Sequence, residues 1–174
     1  QAHKKAHPNL SVLYLDAHAD MRDEYMGTQF GHASAARRAY ESCPIALAGV
    51  RSMCKEEHDF IRENNIPVWY WNPNSYESSP ESIIGSLSDA VYVSVDLDVL
   101  DPALMSAVGT PEPGGMDWHQ LVSLLAKVAE SRRIVGFDVC ELAPADGPPA
   151  CSYTAAKLVY KLVAYACSNG KPTS

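Results

Sequence analysis

The stretch AVYVSVDLD, residues 90–98, joins a run of apolar and β-branched residues to two acids. Ala90–Val95 has the near-continuous apolar pattern of a strand covered on both faces, which is typical of parallel sheets. Similar runs predict four more strands: Ser11–Leu15, Pro44–Val50, Pro67–Tyr70 and Arg133–Val139. Helical patterns separate these runs, so the sequence predicts an α/β protein with a three-layer α-β-α architecture and a mainly parallel sheet.

Five helices are predicted between and after the strands: Ala33–Glu41, Lys55–Asn64, Glu81–Leu87, Trp118–Ala129 and Tyr153–Ala166. The segment Asn72–Pro80 is predicted to be a surface loop. Asp101–Gly115, with three prolines and three glycines, is a longer loop of the kind that is often functional. We find no linker, so residues 1–174 are expected to form a single domain.

The amino-acid composition limits the kinds of binding partner that we expect. The formal charge is −7 and the chain has no run of Lys or Arg, which argues against nucleic acid or an anionic membrane and favours a cationic ligand. No apolar stretch approaches the roughly 20 residues that span a bilayer. Five cysteines without a CxxC pair fit a reducing compartment, so we expect a cytoplasmic protein.

Acidic residues follow two of the predicted strands. Asp16, His18 and Asp20 come directly after the first strand, and Asp96 and Asp98 end the fourth. If the extended geometry persists, alternate residues point the same way and can converge at one edge of the sheet. Aspartates at strand ends are also common caps, and an isolated Asp-x-His occurs in metallophosphatases as well. Together, however, the two runs indicate a site for a hard cation such as Mn²⁺.

Three segments resemble signatures of the ureohydrolase family of arginases and agmatinases: DAHAD at 16–20, SVDLDVLDPALMSAVGTPEPGG at 94–115 and VGFDVCELAP at 135–144. The similarity extends through essentially the whole chain. RDEYMG at 22–27, HAS at 32–34 and the pair Arg37 and Arg38 are more similar to the agmatinase branch than to the arginases. The resemblance implies an arginase-like fold, of which five carboxyl-terminal strands would be present.

The resemblance also implies roles for individual residues. Asp16 and Asp96 would bridge two Mn²⁺ ions, with His18 and Asp98 completing one ion and Asp20 binding the other. In such a site the ions activate a water molecule that attacks the guanidinium carbon. His32 is then the candidate that protonates the departing amine, since imidazole titrates in the right range.

Two further residues are expected to face the substrate. Glu141 would pair with the planar guanidinium through two hydrogen bonds, as the family's substrate-facing glutamate does. Thr110 would add a polar contact. Without the resemblance, a histidine at a helix start is more often a surface residue or cap, and a glutamate after a strand is more often a cap or surface acid.

The match has one large gap. The family's further metal ligand, a histidine in a Gly-Gly-Asp-His motif upstream of DAHAD, has no counterpart, so we expect that an amino-terminal part is missing. Smaller departures are Gly31 and Ser106, where relatives often have a polar residue and a proline. The five strands should form a contiguous half-sheet, with the fifth strand as an unpaired apolar edge.

The expected activity is hydrolysis of a guanidinium group to an amine and urea, with two Mn²⁺ per subunit and agmatine, giving putrescine, as the first candidate substrate. Other guanidino or formimino compounds, such as arginine, guanidinobutyrate or formiminoglutamate, are the alternative. A third interpretation is a non-catalytic fragment that binds metal. By resemblance the protein would be a homo-oligomer, a trimer or a hexamer, with no nucleic-acid or membrane partner.

Overall fold

The structure, a computed structural model, describes residues 2–72 and 80–168. The strands are β1 (Leu10–Leu15), β2 (Ile45–Val50), β3 (Val68–Tyr70), β4 (Ala90–Asp96) and β5 (Arg133–Cys140). The α-helices are α1 (Ala2–Ala6), α2 (Ala35–Tyr40), α3 (Lys55–Glu63), α4 (Pro80–Gly85), α5 (Trp118–Ser131) and α6 (Pro149–Ser168). Three short 3₁₀ turns span His32–Ser34, Leu97–Val99 and Pro144–Asp146.

The five strands form one parallel sheet in the order β3-β2-β1-β4-β5. From β1 the chain winds outward through β2 to β3, and it then returns to place β4 on the other side of β1. The winding direction therefore reverses between β1 and β4. In open parallel sheets, ligands bind at the carboxyl ends of the strands beside such a reversal.

Helices cover both faces of the sheet and create two cores. On one face, alternate strand residues such as Leu13 and Val93 pack with buried residues of α4, α5 and α6. On the other face, Val12 and Leu47 pack with residues of α2 and α3, including Ile61. Burial on both faces is why the strands are apolar at successive positions rather than at alternate ones.

The sequence predicted all five strands and their contiguity, with ends that differ by a residue or so. The predicted helices also form, although the first of them begins as a 3₁₀ turn at His32 and the last starts earlier, at Pro149. The helix α1 was not predicted. Asp101–Gly115 forms no helix or strand, as expected, whereas most of the predicted loop Asn72–Pro80 lies outside the described residues.

The edge of the sheet also agrees with the expectations. Within the part of the sheet that the structure describes, β5 pairs only with β4 and is an edge strand. No helix among the described residues is both long enough and apolar enough to cross a membrane.

Candidate metal centre

The two acidic runs meet because β1 and β4 are neighbours in register. Leu15 pairs with Val95, so Asp16 and Asp96 leave the sheet side by side at its carboxyl edge. Both acids are almost fully buried. The strand patterns alone therefore bring carboxylates from residues 80 positions apart in sequence to one place.

The extended geometry expected beyond the strands does not persist. Asp98 lies in the 3₁₀ turn Leu97–Val99, where its backbone N–H donates to the Asp96 carboxylate at 3.0 Å. Asp20 has a left-handed backbone with a φ of 51°, a conformation uncommon outside glycine. These turns, rather than simple alternation along a strand, direct the two side chains into the same cavity.

Asp16, His18 and Asp98 form a compact group, which we call the His18 cluster. The Nδ1 atom of His18 lies 3.0 Å from Asp98 Oδ2 and 3.3 Å from Asp16 Oδ1. Backbone N–H groups support both carboxylates, since Ala17 donates to Asp98 Oδ1 at 3.1 Å and His18 donates to Asp16 Oδ1 at 2.6 Å. One ligand atom from each member lies within 4.8 Å of the others, a spacing that suits a single cation.

Charges within the His18 cluster offset each other. Hydrogen bonds with Asp16 and Asp98 raise the pKa of His18 to about 11. Burial alone would raise the pKa of Asp98, but hydrogen bonds from His18 and from the Ala17 N–H outweigh it and hold that pKa below its ordinary value. Burial raises the pKa of Asp16 well above its ordinary value. The Nδ1 proton of His18 thus lies among the ligand atoms that would surround a cation.

Asp20 and Asp96, which we call the Asp20 side, lack such compensation. Burial, followed by the charges of Asp16 and Asp98, raises the pKa of Asp96 to about 9. Burial also raises the pKa of Asp20 to about 6, although the hydroxyl of Tyr14 donates to Asp20 Oδ2 at 2.9 Å and opposes the shift. Buried carboxyls with raised pKa values gain most from a neighbouring divalent cation, which favours their ionised form.

All eight predicted site residues line one cavity: Asp16, His18, Asp20, His32, Asp96, Asp98, Thr110 and Glu141. His32 lies at the start of its 3₁₀ turn, with its ring edge-to-face on Tyr25 at 5.5 Å between ring centres. Glu141 follows β5 with a left-handed φ of 65°. The structure thus gathers the predicted residues, while their roles as ligands or catalysts stay predictions.

Thr110 lines the cavity beside the His18 cluster, and its role as a substrate contact stays a prediction. Its hydroxyl donates to Asp98 Oδ2 at 3.4 Å. Beside it, Gly109 lies close to Glu141, since a β-carbon at Gly109 would be in ordinary van der Waals contact with Glu141 Oε2 at 3.8 Å. The long loop Asp101–Gly115 therefore contacts the metal centre as well as the cavity rim.

Sequence reasoning missed a buried glutamate beside the site. Glu57, which is 4% exposed, accepts the N–H of Met21 at 2.9 Å and the N–H of Cys54 at 2.8 Å. It thereby ties α3 to the segment after Asp20. The signal available in the sequence was an acid at the third position of a helix, which is typical of a capping box, but nothing local shows that it also reaches Met21.

The candidate cation site lies where the winding of an open parallel sheet reverses. This arrangement is typical of α/β proteins whose metal ligands are carboxylates and histidines at strand ends. Comparison with known proteins gives the family. The Arginase family model matches residues 1–164. The chain belongs to the arginase family.

Individual relatives agree with this assignment. The chain is 38% identical over 162 residues to "N(1)-aminopropylagmatine ureohydrolase" of Synechocystis sp., covering 89% of this chain and 52% of that protein. It is 34% identical over 168 residues to "Agmatinase" of Pyrococcus horikoshii, covering 92% and 59%. The predicted resemblance to the agmatinase branch is confirmed, and the chain spans about half the length of the curated relatives it matches.

Solved structures confirm the arginase-like fold. The agmatine ureohydrolase of Thermoplasma volcanium superimposes with a TM-score of 0.79 at 31% identity, covering 91% of this chain and 55% of that chain. The proclavaminate amidino hydrolase of Streptomyces clavuligerus superimposes with a TM-score of 0.85 at 26% identity, covering 97% and 59%.

Proposed function

We propose that the protein hydrolyses the guanidinium group of a linear, cationic substrate to an amine and urea, with Mn²⁺ as its cofactor. The observation that supports this most is the convergence of five metal-binding side chains and the acid Glu141 on one cavity of a chain in the arginase family. Acids outnumber bases around this cavity, which suits a cationic substrate over an anionic one.

The residues present fit a pair of divalent cations. The His18 cluster offers one imidazole and two carboxylates within cation-binding distance, and the Asp20 side adds the buried carboxylate of Asp96 and the half-buried one of Asp20. This oxygen-rich set, with few nitrogen ligands and no thiolate in the His18 cluster, suits Mn²⁺. When bound, two such ions supply Lewis-acid activation of a water molecule for attack on the guanidinium carbon.

Glu141 and His32 would perform the remaining chemistry. The Glu141 carboxylate accepts two parallel N–H bonds from a planar guanidinium and so holds it facing the metal-binding carboxylates. His32, exposed at the cavity rim, delivers a proton to the departing amine nitrogen. The amine must leave protonated, since a bare amide anion is a very poor leaving group.

Agmatine is the first candidate substrate, and its N-aminopropyl derivative is the second. The observation that favours the second is that three relatives at 38% identity are named for N(1)-aminopropylagmatine. Both molecules combine a guanidinium with at least one further cation. They differ in tail length, so the outer part of the cavity would decide between them.

A urea assay on the full-length protein with Mn²⁺ tests the proposal. We expect turnover with agmatine, N(1)-aminopropylagmatine or both, and far less with arginine or guanidinobutyrate, which carry a carboxylate. Measuring the amine product extends the test to formiminoglutamate. Metal binding without turnover of any substrate would support a non-catalytic metal-binding protein and contradict the proposal.

A matched variant tests the role of Glu141. Glu141→Gln keeps the shape of the side chain and removes the charge that pairs with substrate. We expect catalytic efficiency to fall by about 100-fold or more, because a charge-assisted bidentate contact is lost, while Mn²⁺ content stays unchanged. Equal losses of manganese and activity would show instead that Glu141 belongs to the metal site.

We also propose that the protein is a cytoplasmic homo-oligomer. The helix α6 leaves Tyr153, Tyr160 and Val163 exposed, and apolar residues grouped on one helix favour a protein contact. Sedimentation of the wild-type protein beside Tyr160→Glu tests this: we expect the charge to weaken assembly. A monomeric wild type would contradict the proposal.

A further inference from the structure

Arg51, directly after β2, has an unusual set of partners. Its half-buried guanidinium donates to six backbone carbonyl oxygens: Gly49 O at 3.2 Å, Asp98 O at 2.7 Å, Val99 O at 3.3 Å, Leu100 O at 3.4 Å, Glu112 O at 2.7 Å and Pro113 O at 3.2 Å. A guanidinium has five N–H donors in a rigid, planar fork. In Arg51 these N–H groups point to backbone carbonyl oxygens of three separate segments.

One of the three segments contains Asp98 of the His18 cluster, and another is part of the long loop. Gly49 is the last but one residue of β2, residues 98–100 follow the carboxyl end of β4, and Glu112 and Pro113 lie in the long loop. The main chain of Arg51 adds a fourth segment, because its N–H donates to Ala17 O at 2.8 Å between Asp16 and His18. One residue thus joins both acidic runs to the loop that covers them.

The long loop in turn contacts the His18 cluster at two points. Thr110 donates to Asp98 Oδ2 at 3.4 Å, and Glu112 Oε1 lies 3.7 Å from His18 Nε2. Close packing holds the loop on the guanidinium, since a β-carbon at Gly115 would stand 2.7 Å from Arg51 Nη2. A shift of the loop would therefore change the surroundings of both His18 and Asp98.

We propose that Arg51 is a positioning residue that clamps the long loop Asp101–Gly115 onto the metal centre and so fixes the geometry of the His18 cluster. The proposal deepens the proposed function and rests on it for the role of the cluster in binding Mn²⁺. Partners of this kind, which orient the metal ligands without touching the ion, typically contribute about 10-fold to 100-fold in metal affinity.

A second tie allows the clamp to be removed without releasing the loop completely. The carboxylate of Asp101 accepts the N–H of Gly114 at 2.8 Å and the N–H of Gly115 at 3.1 Å, independently of Arg51. Arg51→Met, which keeps an unbranched apolar stem and removes every donor, should therefore loosen the loop rather than unfold the domain. Arg51→Lys keeps the charge but cannot reach three segments with one ammonium group.

Arg132 provides the matched control. It also donates from its guanidinium to backbone carbonyls, at 3.0 Å to Leu87 O, 2.9 Å to Ser131 O and 2.9 Å to Ile84 O. None of these carbonyls belongs to a residue that lines the cavity of the metal centre. Arg132→Met thus removes hydrogen bonds of the same kind, three against the six of Arg51, away from the site.

The experiment compares the full-length wild type, Arg51→Met, Arg51→Lys and Arg132→Met by hydrogen exchange without metal and by calorimetric titration with Mn²⁺. We expect Arg51→Met to lose protection at the N–H groups of Gly114, Gly115 and Met116 while β1 keeps it, and to bind Mn²⁺ about tenfold more weakly or worse. Arg51→Lys should fall between Arg51→Met and the wild type. Arg132→Met should keep both loop protection and Mn²⁺ affinity.

Three results would overturn the proposal: unchanged Mn²⁺ affinity in Arg51→Met, equal loss of protection in β1 and in the long loop, or an Arg51→Lys variant that matches the wild type. If Arg51→Met fails to fold, Arg51→Lys is compared with Arg132→Met by the same two measurements. That comparison then tests the proposal. Neither measurement uses turnover. A wild type that binds Mn²⁺ but releases no urea would therefore contradict the proposed function and leave the role of Arg51 standing.

Discussion

The His18 cluster and the Asp20 side come from the same two acidic runs, yet their charges are arranged differently. In the His18 cluster, an imidazole lies 3.0 Å and 3.3 Å from two carboxylates, which are held in place by backbone N–H groups. On the Asp20 side, the buried carboxyl of Asp96 and the half-buried carboxyl of Asp20 have no imidazole within the pair, and a tyrosine hydroxyl contacts Asp20. Position at a strand end thus brings acids together but does not by itself make a pre-arranged cation site.

The difference predicts unequal binding of cations. A cation entering the His18 cluster replaces a proton in a group already fixed by hydrogen bonds, and it gains a nitrogen ligand. A cation on the Asp20 side finds two carboxyls and no imidazole within the pair. Since it gains no nitrogen ligand and fewer ligands that hydrogen bonds already hold in place, the Asp20 side should bind Mn²⁺ more weakly.

The largest expected effect comes from removing the imidazole. His18→Ala should weaken the tight class of Mn²⁺ binding by more than about 100-fold, because even residues that only orient a ligand contribute 10-fold to 100-fold. Urea release should fall to the level of the metal-free protein. Calorimetric titration with Mn²⁺ and a urea assay measure the two effects.

Asp20→Asn is the matched change on the other side of the site. It should remove the weak class of binding and leave the tight class within a few-fold of its wild-type affinity. If the two variants lose the same class of site, the distinction between the His18 cluster and the Asp20 side is wrong.

A change at the cavity rim should spare both sides of the metal centre. His32→Ala is expected to lower turnover by about 100-fold or more, since a positioned general acid typically contributes that much, while Mn²⁺ content stays the same. Added imidazole should restore part of the rate. His119→Ala, a change in an exposed histidine of α5, is the control and should leave the rate unaltered. An unchanged rate in His32→Ala would remove this residue from the mechanism.

The sequence predicted what depends on local pattern and missed what depends on distant contacts. Apolar runs identified the five strands, and the strand-end acids with the family resemblance identified the residues of the metal centre. Nothing local shows that the Arg51 guanidinium reaches carbonyls 47 to 62 positions away, or that Glu57 accepts the N–H of Met21, 36 positions before it. The left-handed φ of Asp20 was also missed, because the residue has no sequence signature for that conformation.

The stability of the metal-free protein should fall as the pH rises. The pKa values of Asp96, about 9, and His18, about 11, lie above their unfolded values, so the folded state binds more protons. The free energy of unfolding therefore decreases between about pH 6.5 and 9, by at most about 1.4 kcal/mol per pH unit for each group. Asp98 has a lowered pKa and opposes this trend only below about pH 4.

Bound Mn²⁺ should reverse the trend, because deprotonated ligands bind the ion more tightly as the pH rises. Thermal unfolding with EDTA and with Mn²⁺ across this range measures both slopes. Asp96→Asn serves as the control and should flatten the slope of the metal-free protein. Metal-free stability that increases across the range would contradict the arrangement of charges described for the site.

The smallest effect should come from Tyr14→Phe. Its hydroxyl favours the ionised form of Asp20, so its loss should raise the pKa of Asp20 above about 6. A hydrogen bond of this kind contributes on the order of 1 kcal/mol, so Mn²⁺ affinity on the Asp20 side should fall by roughly fivefold near neutral pH. Calorimetric titration of Tyr14→Phe with Mn²⁺ measures this effect. A change in the tight class of Mn²⁺ binding would show instead that Tyr14 acts on the His18 cluster.

The central claim is that the His18 cluster is a pre-arranged cation site and the Asp20 side is not. Calorimetric titration of the 174-residue chain with Mn²⁺ tests it most directly. The predicted result is one tight class of binding, lost in His18→Ala, and a second class that is much weaker or absent. Two equally tight classes of site in the wild-type chain would contradict the claim.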